Sequence, residues 1–268
     1  MGTTSPLRSE ITAVAWRDMR SALGKAFWPL LVITIVLSVL GFMVAGPIGA
    51  IPLLPWILSW YALVTRARRG FWKDFAKEQG WKYQHGGSWQ KEHALMFKPG
   101  KSKKIPNVVS GEFAGHPFRI FEYQYTVGSG KHSTTYSYTI FEARFTGHFP
   151  HLYLNNLRNR HNAGTPGRQI PLPAQFEKKY HLFGPEQYEI EALQIFTPDV
   201  LEQLLHQKFP FDVELVEQEL LVFTRGNVHS RSQLEEKLAP AKQLIATLAP
   251  KLNRMKFKPI GDHPHRLK

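Results

Sequence analysis

Hydrophobic side chains concentrate in one early stretch of this chain. Between Lys25 and Arg66 lie 40 residues with no charged side chain, whereas the remainder alternates short apolar and polar groups. A bilayer core takes about 20 apolar residues as a helix, and 40 in one rod would reach about 60 Å, roughly twice its thickness. The run must therefore fold back or be partly expelled. Gly46-Pro47-Ile48-Gly49 sits in its middle. Pro47 lacks an N–H, and glycine permits positive φ. Division there predicts two transmembrane helices, about residues 27–45 and 48–65, joined as a helical hairpin. Pro52 and Pro55 weaken the second, so a re-entrant or shallow interfacial segment is its rival.

The other elements follow from period and punctuation. In the lead, residues 1–26, Ser9 offers an N-cap, and Ile11, Val14, Ala15 and Met19 share one face of a 3.6-residue period. This predicts a short helix along the bilayer surface, with a frayed tail as the alternative. Phe71, Phe75 and Ala76 predict a helix over residues 66–79, ended by Gly80. Trp81-Lys82-Tyr83 opens a β-rich stretch. Residues 107–113, 118–127 and 136–145 are rich in aromatic and β-branched types and predict strands, with turns at Gly115 and over residues 128–133. Residues 155–175, through Asn162-Ala163-Gly164, lack periodicity and predict an exposed loop. Beyond it, residues 188–196 predict a strand. Thr197-Pro198-Asp199 opens a helix to about Lys208. Residues 213–216 and 220–223 predict two short strands around Glu217-Gln218-Glu219. A last helix starts near Ser232, which has capping-box spacing to Glu235, and Pro240 and Pro250 are expected to break it. The tail, residues 256–268, is basic and expected to be mobile. The fold class is α+β: a transmembrane helical hairpin, then a soluble mixed domain with antiparallel strands. That domain reads as a β-rich half, 66–154, the loop, and an α+β half, 176–255.

Composition sharpens this. The 268 residues carry 34 Lys+Arg, 21 Asp+Glu, 12 His and no Cys, a formal charge of +13. A disulfide-stapled scaffold and a thiolate zinc site are excluded. Arg8, Arg17, Arg20 and Lys25 precede the apolar run, Arg66, Arg68, Arg69 and Lys73 follow it, and the connecting turn has no charge. The positive-inside rule then places both termini in the cytoplasm. A cleaved signal peptide is disfavoured by the 26-residue polar lead and by the second apolar segment. Trp28, Trp60 and Tyr61 fall where amphipathic rings anchor at the interface. Arg66, Arg68, Arg69, Lys73 and Lys77 form a juxtamembrane collar expected to contact anionic phospholipid headgroups, at about 1 kcal/mol each. Ordinary positive-inside bias explains the same charges without a ligand.

Catalytic motifs are scarce. Gly128-Ser129-Gly130-Lys131 has Tyr125 where a phosphate-binding loop needs glycine, and His132 where it needs Ser or Thr. It reads as a flexible hairpin tip. His148 and His151 are three apart and His263 and His265 two apart, but no His-Glu-x-x-His occurs. Neither a metal nor a cofactor is expected. There is no Gly-x-Ser-x-Gly elbow, and no thiol nucleophile exists. Glu112, Glu122 and Glu142 lie in predicted strands, where any two could face a cleft, although spaced acids on strands usually face solvent. Nucleic acid is disfavoured as a partner: the charge meets the first test, but no recognition motif follows.

Arg68-Arg69, Phe75-Ala76, Gly80-Trp81-Lys82-Tyr83, Asn107-Val108-Val109-Ser110-Gly111, Phe121-Glu122-Tyr123-Gln124-Tyr125 and Gly128-Ser129-Gly130-Lys131 occur in this order, and Tyr188-Glu189-Ile190-Glu191-Ala192 then precedes residues 200–205. This order resembles a class of uncharacterised bacterial membrane proteins with one or two N-terminal spans and a cytoplasmic α+β domain. The resemblance covers roughly residues 66–253 and implies no activity, cofactor or catalytic residue. The expected function is a membrane-anchored cytoplasmic binding or scaffolding module, held by the bilayer and serving a protein partner. The alternatives are a membrane-bound enzyme acting on a lipid or envelope precursor, and a nucleic-acid-binding membrane protein.

Overall fold

The computed structural model describes residues 10–90, 93–159, 164–207 and 209–255. The expectations on Arg8, Ser9, Asn162, Ala163, Lys208 and the tail with His263 and His265 lie outside these residues. The chain divides into two compact units, residues 1–75 with 229–233, and residues 76–228 with 234–268. The architecture is α+β, a long N-terminal helical region and an antiparallel sheet.

The first unit is helical from residue 10 onward. Helix α1, Glu10–Leu23, buries Ile11, Ala15 and Met19 at helical spacing. Helix α2, Phe27–Ala45, ends where Gly46 takes φ 62. Residues Gly46–Leu53 then form 3-10 turns, and α3 runs Leu54–Glu78. Two expectations are corrected here. Residues 48–65 are not one α-helix, because Pro47 and Pro52 cannot donate the bonds a regular helix requires. Nor is 66–79 separate: it continues α3, since no breaker falls between Leu54 and Glu78. The helical stretch Glu10–Glu78 thus behaves as one 69-residue unit. Within it Trp56 Nε1 donates to Thr34 Oγ1 at 3.1 Å. A Cβ on Gly49 would lie 1.9 Å from the Gly41 backbone, so only glycine permits that approach.

In the second unit, Gly80 at φ 67 closes α3: its N–H bonds Lys77 O, and Trp81 N–H bonds Ala76 O at 2.7 Å. The strands are β1 Lys82–Gly87, β2 Lys101–Phe113, β3 His116–Val127, β4 Thr134–Asn156, β5 Arg168–Ile170, β6 Tyr180–Gly184 and β7 Asp212–Arg225, with short α4 Ala174–Glu177 between β5 and β6. The order is β1-β2-β3-β4-β6-β5, with β7 paired to β4. Ala114 and Gly115, both at positive φ, make the two-residue turn between β2 and β3. The β3–β4 hairpin runs from Phe118↔Ala143 to Val127↔Thr134. Strand β4 is longer than the alternation suggests, and Asn155 and Asn156 belong to it rather than to a loop.

Strand β7 is one strand, not two. Between the pairs Arg144↔Glu219 and Phe149↔Glu217, β4 has residues 145–148 where β7 has Gln218 alone, and Glu217 takes φ 51. This bulge bends both strands and shifts the face on which their side chains emerge. Tyr138 and Ile140 before it, and Tyr153 after it, consequently join one cluster with Phe121, Tyr123 and Phe223. The segment Ala94–Phe97 covers this first face: Phe97 meets Tyr123 edge-on at 4.8 Å. The opposite face carries Phe118, Ile120, Phe141 and Val222, all buried. Each such side chain contributes roughly 1.5–3 kcal/mol on burial.

Three longer helices follow β6 among the described residues. Residues 188–196 are not a strand: Glu189–Ile195 is helix α5, burying Ala192 and Ile195 at helical spacing while Ile190 is 71% exposed. Helix α6, Pro198–His206, starts where expected. Thr197 does not cap it by its side chain, because its hydroxyl accepts from Lys251 Nζ instead. Helix α7, Arg231–Arg254, runs through Pro240 and Pro250 unbroken. Its buried stripe, Leu234 to Leu252, offsets the two missing bonds. Its cap lies earlier than expected: Gln233 N donates to Ser230 Oγ, and Gln233 Oε1 accepts from His229 N at 3.0 Å. Lys242 lies over the Trp81 ring at 4.8 Å, and Trp81 in turn fills the space where a side chain on Gly111 would stand.

Asp212, fully buried, holds the start of β7. Its Oδ1 accepts from Asn156 N at 2.6 Å and its Oδ2 from Asn159 Nδ2 at 3.0 Å. Burial pushes its carboxyl from 3.8 up to about 7, against the lowering effect of those bonds. A raised acid binds its proton more tightly folded than unfolded, so its stabilisation is complete below about pH 4 and is lost as pH rises through about 7. Hydrogen-exchange protection of the Asn156 amide, corrected for intrinsic rate, should therefore fall between about pH 4 and 7. Asp212→Asn should flatten that fall.

Candidate functional site

The first candidate surface is the apolar helical region. By length and composition, one helical stretch, Glu10–Glu78, is long and apolar enough to cross a membrane, and only 6% of its most apolar window is buried. In α2 such side chains as Leu37, Leu40 and Met43 are about half or more exposed. At one end an aromatic cluster forms. Buried Phe27 meets Trp16 at 5.3 Å, Trp28 at 5.2 Å and Trp56 at 5.7 Å, and Trp60 reaches Trp16 at 6.1 Å. Two of the predicted anchors, Trp28 and Trp60, thus share one cluster, while Tyr61 is 73% exposed.

The basic collar is divided by helix geometry. Arg66, Arg69, Lys73 and Lys77 are exposed and fall at i, i+3, i+7 and i+11, a single stripe of α3. Arg68 is half-buried and lies off that stripe. Arg66 also lines a cavity of about 250 Å³ with Glu10, Asp18 and Asp74, so acids compensate part of its charge.

The second candidate lies on the first face of the sheet, beyond the aromatic cluster. A cavity of about 350 Å³ is lined by Gln84, Ser88, Ser110, Arg119, Glu142, Arg144 and Glu219, among others. Register assembles it: Ser110 pairs with Arg119, Arg119 with Glu142, and Arg144 with Glu219 on successive strands. Arg119 grips Glu142 with two bonds, Nε to Oε1 at 2.9 Å and Nη2 to Oε2. Arg144 Nη2 donates to Glu219 Oε1 at 3.1 Å. The carboxylates are nearly buried and the guanidiniums reach outward. Such pairs hold rigid planar geometry.

A third polar centre ties the covering segment to the sheet. The fully buried carboxylate of Glu214 accepts from the amides of Leu95 and Met96, which open the 3-10 turn Leu95–Phe97. His151 Nε2 meets the same carboxylate at 2.6 Å.

Of the three glutamates singled out in the sequence, only Glu142 enters the cavity. Glu122 points to the opposite face, where it accepts from Asn107 Nδ2 at 3.0 Å, and Glu112 is exposed. Glu219 falls in the break expected between two short strands, and Arg119 and Arg144 carry no motif. Only their cross-strand pairing could have flagged them. His148 faces Gln218 rather than joining His151. Gly128-Ser129-Gly130-Lys131 lies in the exposed β3–β4 connection.

No protein-family model matches the chain, and no curated protein matches it. Among solved structures, it is similar to the crystal structure of the mycobacterial trehalose monomycolate transport factor A, TtfA. Identity is 15%, coverage is 68% of this chain and 94% of that chain, and the TM-score is 0.47.

Proposed function

We propose that this protein is a membrane-anchored binding module. Residues 27–65 cross the lipid in two passes of a bacterial inner membrane, leaving both termini in the cytoplasm, and the sheet unit offers its cavity or surface to a partner. One observation carries the reading: forty uncharged residues are helical and leave their apolar side chains uncovered. In water that surface far exceeds the few hundred Å² of apolar patch a soluble monomer exposes. The break at Gly46-Pro47 and the Thr34–Trp56 bond support two passes over one. High-speed centrifugation without detergent should leave the intact chain in the membrane pellet after alkaline washing, and recovery in the supernatant would sink the anchor.

The stripe Arg66, Arg69, Lys73 and Lys77 then lies on anionic headgroups, with Trp28, Trp60 and Tyr61 at the interface. At about 1 kcal/mol per charge the stripe supplies roughly 4 kcal/mol, screened by salt. Tryptic cleavage at these residues should be slower in phosphatidylglycerol vesicles than in phosphatidylcholine vesicles at low salt. Equal rates would leave the stripe as a topology signal alone.

A further inference from the structure

The register of the sheet gathers like charges at one of its ends. There β2 begins, β3 ends, β4 begins and β7 ends: Lys101 pairs with Thr126, Lys104 with Gln124, Gln124 with Ser137, and Arg225 with Tyr138. The segments that meet are residues 98–107, 124–138 and 220–230. They carry Lys98, Lys101, Lys103, Lys104, Lys131 and Arg225, and no Asp or Glu. Lys103 is half-buried, with Nζ donating to Lys98 O at 3.0 Å, and the others are exposed. None of them pairs with a carboxylate among the described residues. Strands lie about 4.8 Å apart, so β2 and β7 are about 14 Å apart and their charges act on one surface.

The apex of the β3–β4 hairpin projects from this end. Residues 127–135 are all exposed, and Val127 is 45% so. Gly128, at φ 87, makes the turn, where a Cβ would stand 2.4 Å from His132 O. Ser129, Ser133, Thr134 and Thr135 add exposed hydroxyls. Uncompensated cations attract an anion, and a projecting apex suits a plane rather than a rod held in a groove. A lipid leaflet sets phosphates above an apolar layer, which answers both the lysines and Val127. A nucleic-acid backbone or a run of acidic side chains would answer the charge and leave Val127 in water. We infer that this end of the sheet is a further lipid contact, seated on anionic phospholipid headgroups with Val127 at the acyl boundary. It goes beyond the anchor and the stripe of α3 and rests on neither.

The chain has no Cys, so Val127→Cys carries a single environment-sensitive dye on the full-length protein. The labelled chain is reconstituted in phosphatidylcholine vesicles. One arm mixes phosphatidylglycerol into the same bilayer, and another adds separate phosphatidylglycerol vesicles. A blue shift of the dye is expected in at least one arm, absent with phosphatidylcholine alone and reversed by high salt. A shift in the mixed bilayer assigns the contact to the chain's own membrane, and a shift only with added vesicles assigns it to a facing one; both keep the site. A chain that fails to embed is read by the same dye with vesicles added to it in solution, so the anchor and this contact fail separately. Lys101→Glu with Lys131→Glu should raise the phosphatidylglycerol needed for half the shift at least tenfold, and Lys131→Glu alone about fivefold. Both side chains are exposed, so their replacement leaves the core intact, which thermal melts check. The inference is overturned by no shift in either arm, by equal shifts with and without phosphatidylglycerol, or by an unchanged response in the folded variants. An equal response to polyglutamate or to a single-stranded oligonucleotide would also overturn it, by assigning the cations to a soluble polyanion.

Discussion

Arginine at both Val36 and Leu37 is expected to lower the share of the chain in the alkali-resistant membrane pellet, because only residues 48–65 are then left to insert. The two side chains sit at the centre of α2 and are 49% and 54% exposed. An arginine at the middle of a membrane helix costs about 2.5–3.5 kcal/mol on insertion scales, so the pair costs about 5–7 kcal/mol. That exceeds what the remaining apolar residues of α2 can spare, and the first pass should fail to insert. The same exposed positions on a water-soluble helix would change stability by only about 0.5 kcal/mol, with a gain in solubility. Pelleting and alkaline washing of the double variant thus separate the two situations by sign. An unchanged share of the variant in the washed pellet would count against a lipid setting for α2.

Glu214→Ala should release the segment that covers the sheet. Its carboxylate is the acceptor for two buried amides, Leu95 and Met96, and for His151. Leaving a buried donor unpaired costs about 1–3 kcal/mol, so loss of three contacts amounts to about 3–5 kcal/mol, which is a large share of a domain's stability. Phe97 and Met96 would then lose their seat over Phe121 and Tyr123. Hydrogen exchange at Leu95 and Met96 should accelerate about a hundredfold or more, following that free energy. Glu214→Gln retains an acceptor oxygen and should cost clearly less. Equal exchange in wild type and alanine variant would mean that apolar contacts alone hold the segment.

What was legible along the chain is what depends on near neighbours. Residues 118–127 and 136–145 alternate, and a period of two places aromatic rings on one face whatever the partner strand. Thr197-Pro198-Asp199 likewise marks a helix start by local geometry. The errors share a cause. Tyr188-Glu189-Ile190-Glu191 alternates as a strand does, yet burial of Ala192 and Ile195 on the remaining chain selects a helix. Pro240 and Pro250 look like breaks until a stripe of buried leucines outweighs the lost bonds.

The cavity illustrates the limit best. Arg119, Glu142, Arg144 and Glu219 have no common spacing, because the register of β3, β4 and β7 brings them together. Likewise His151 and Glu214 share the face of Tyr138 only because the bulge at Glu217 interrupts the two-residue period. Sequence by itself determined the uncharged apolar run, its flanking cations and the mixed α and β character, since hydropathy, charge and local period need no knowledge of distant contacts. Tertiary structure alone decided the continuous α3, the single bent β7 and the paired charges of the sheet face, because pairing register and burial are energies between residues far apart in the chain.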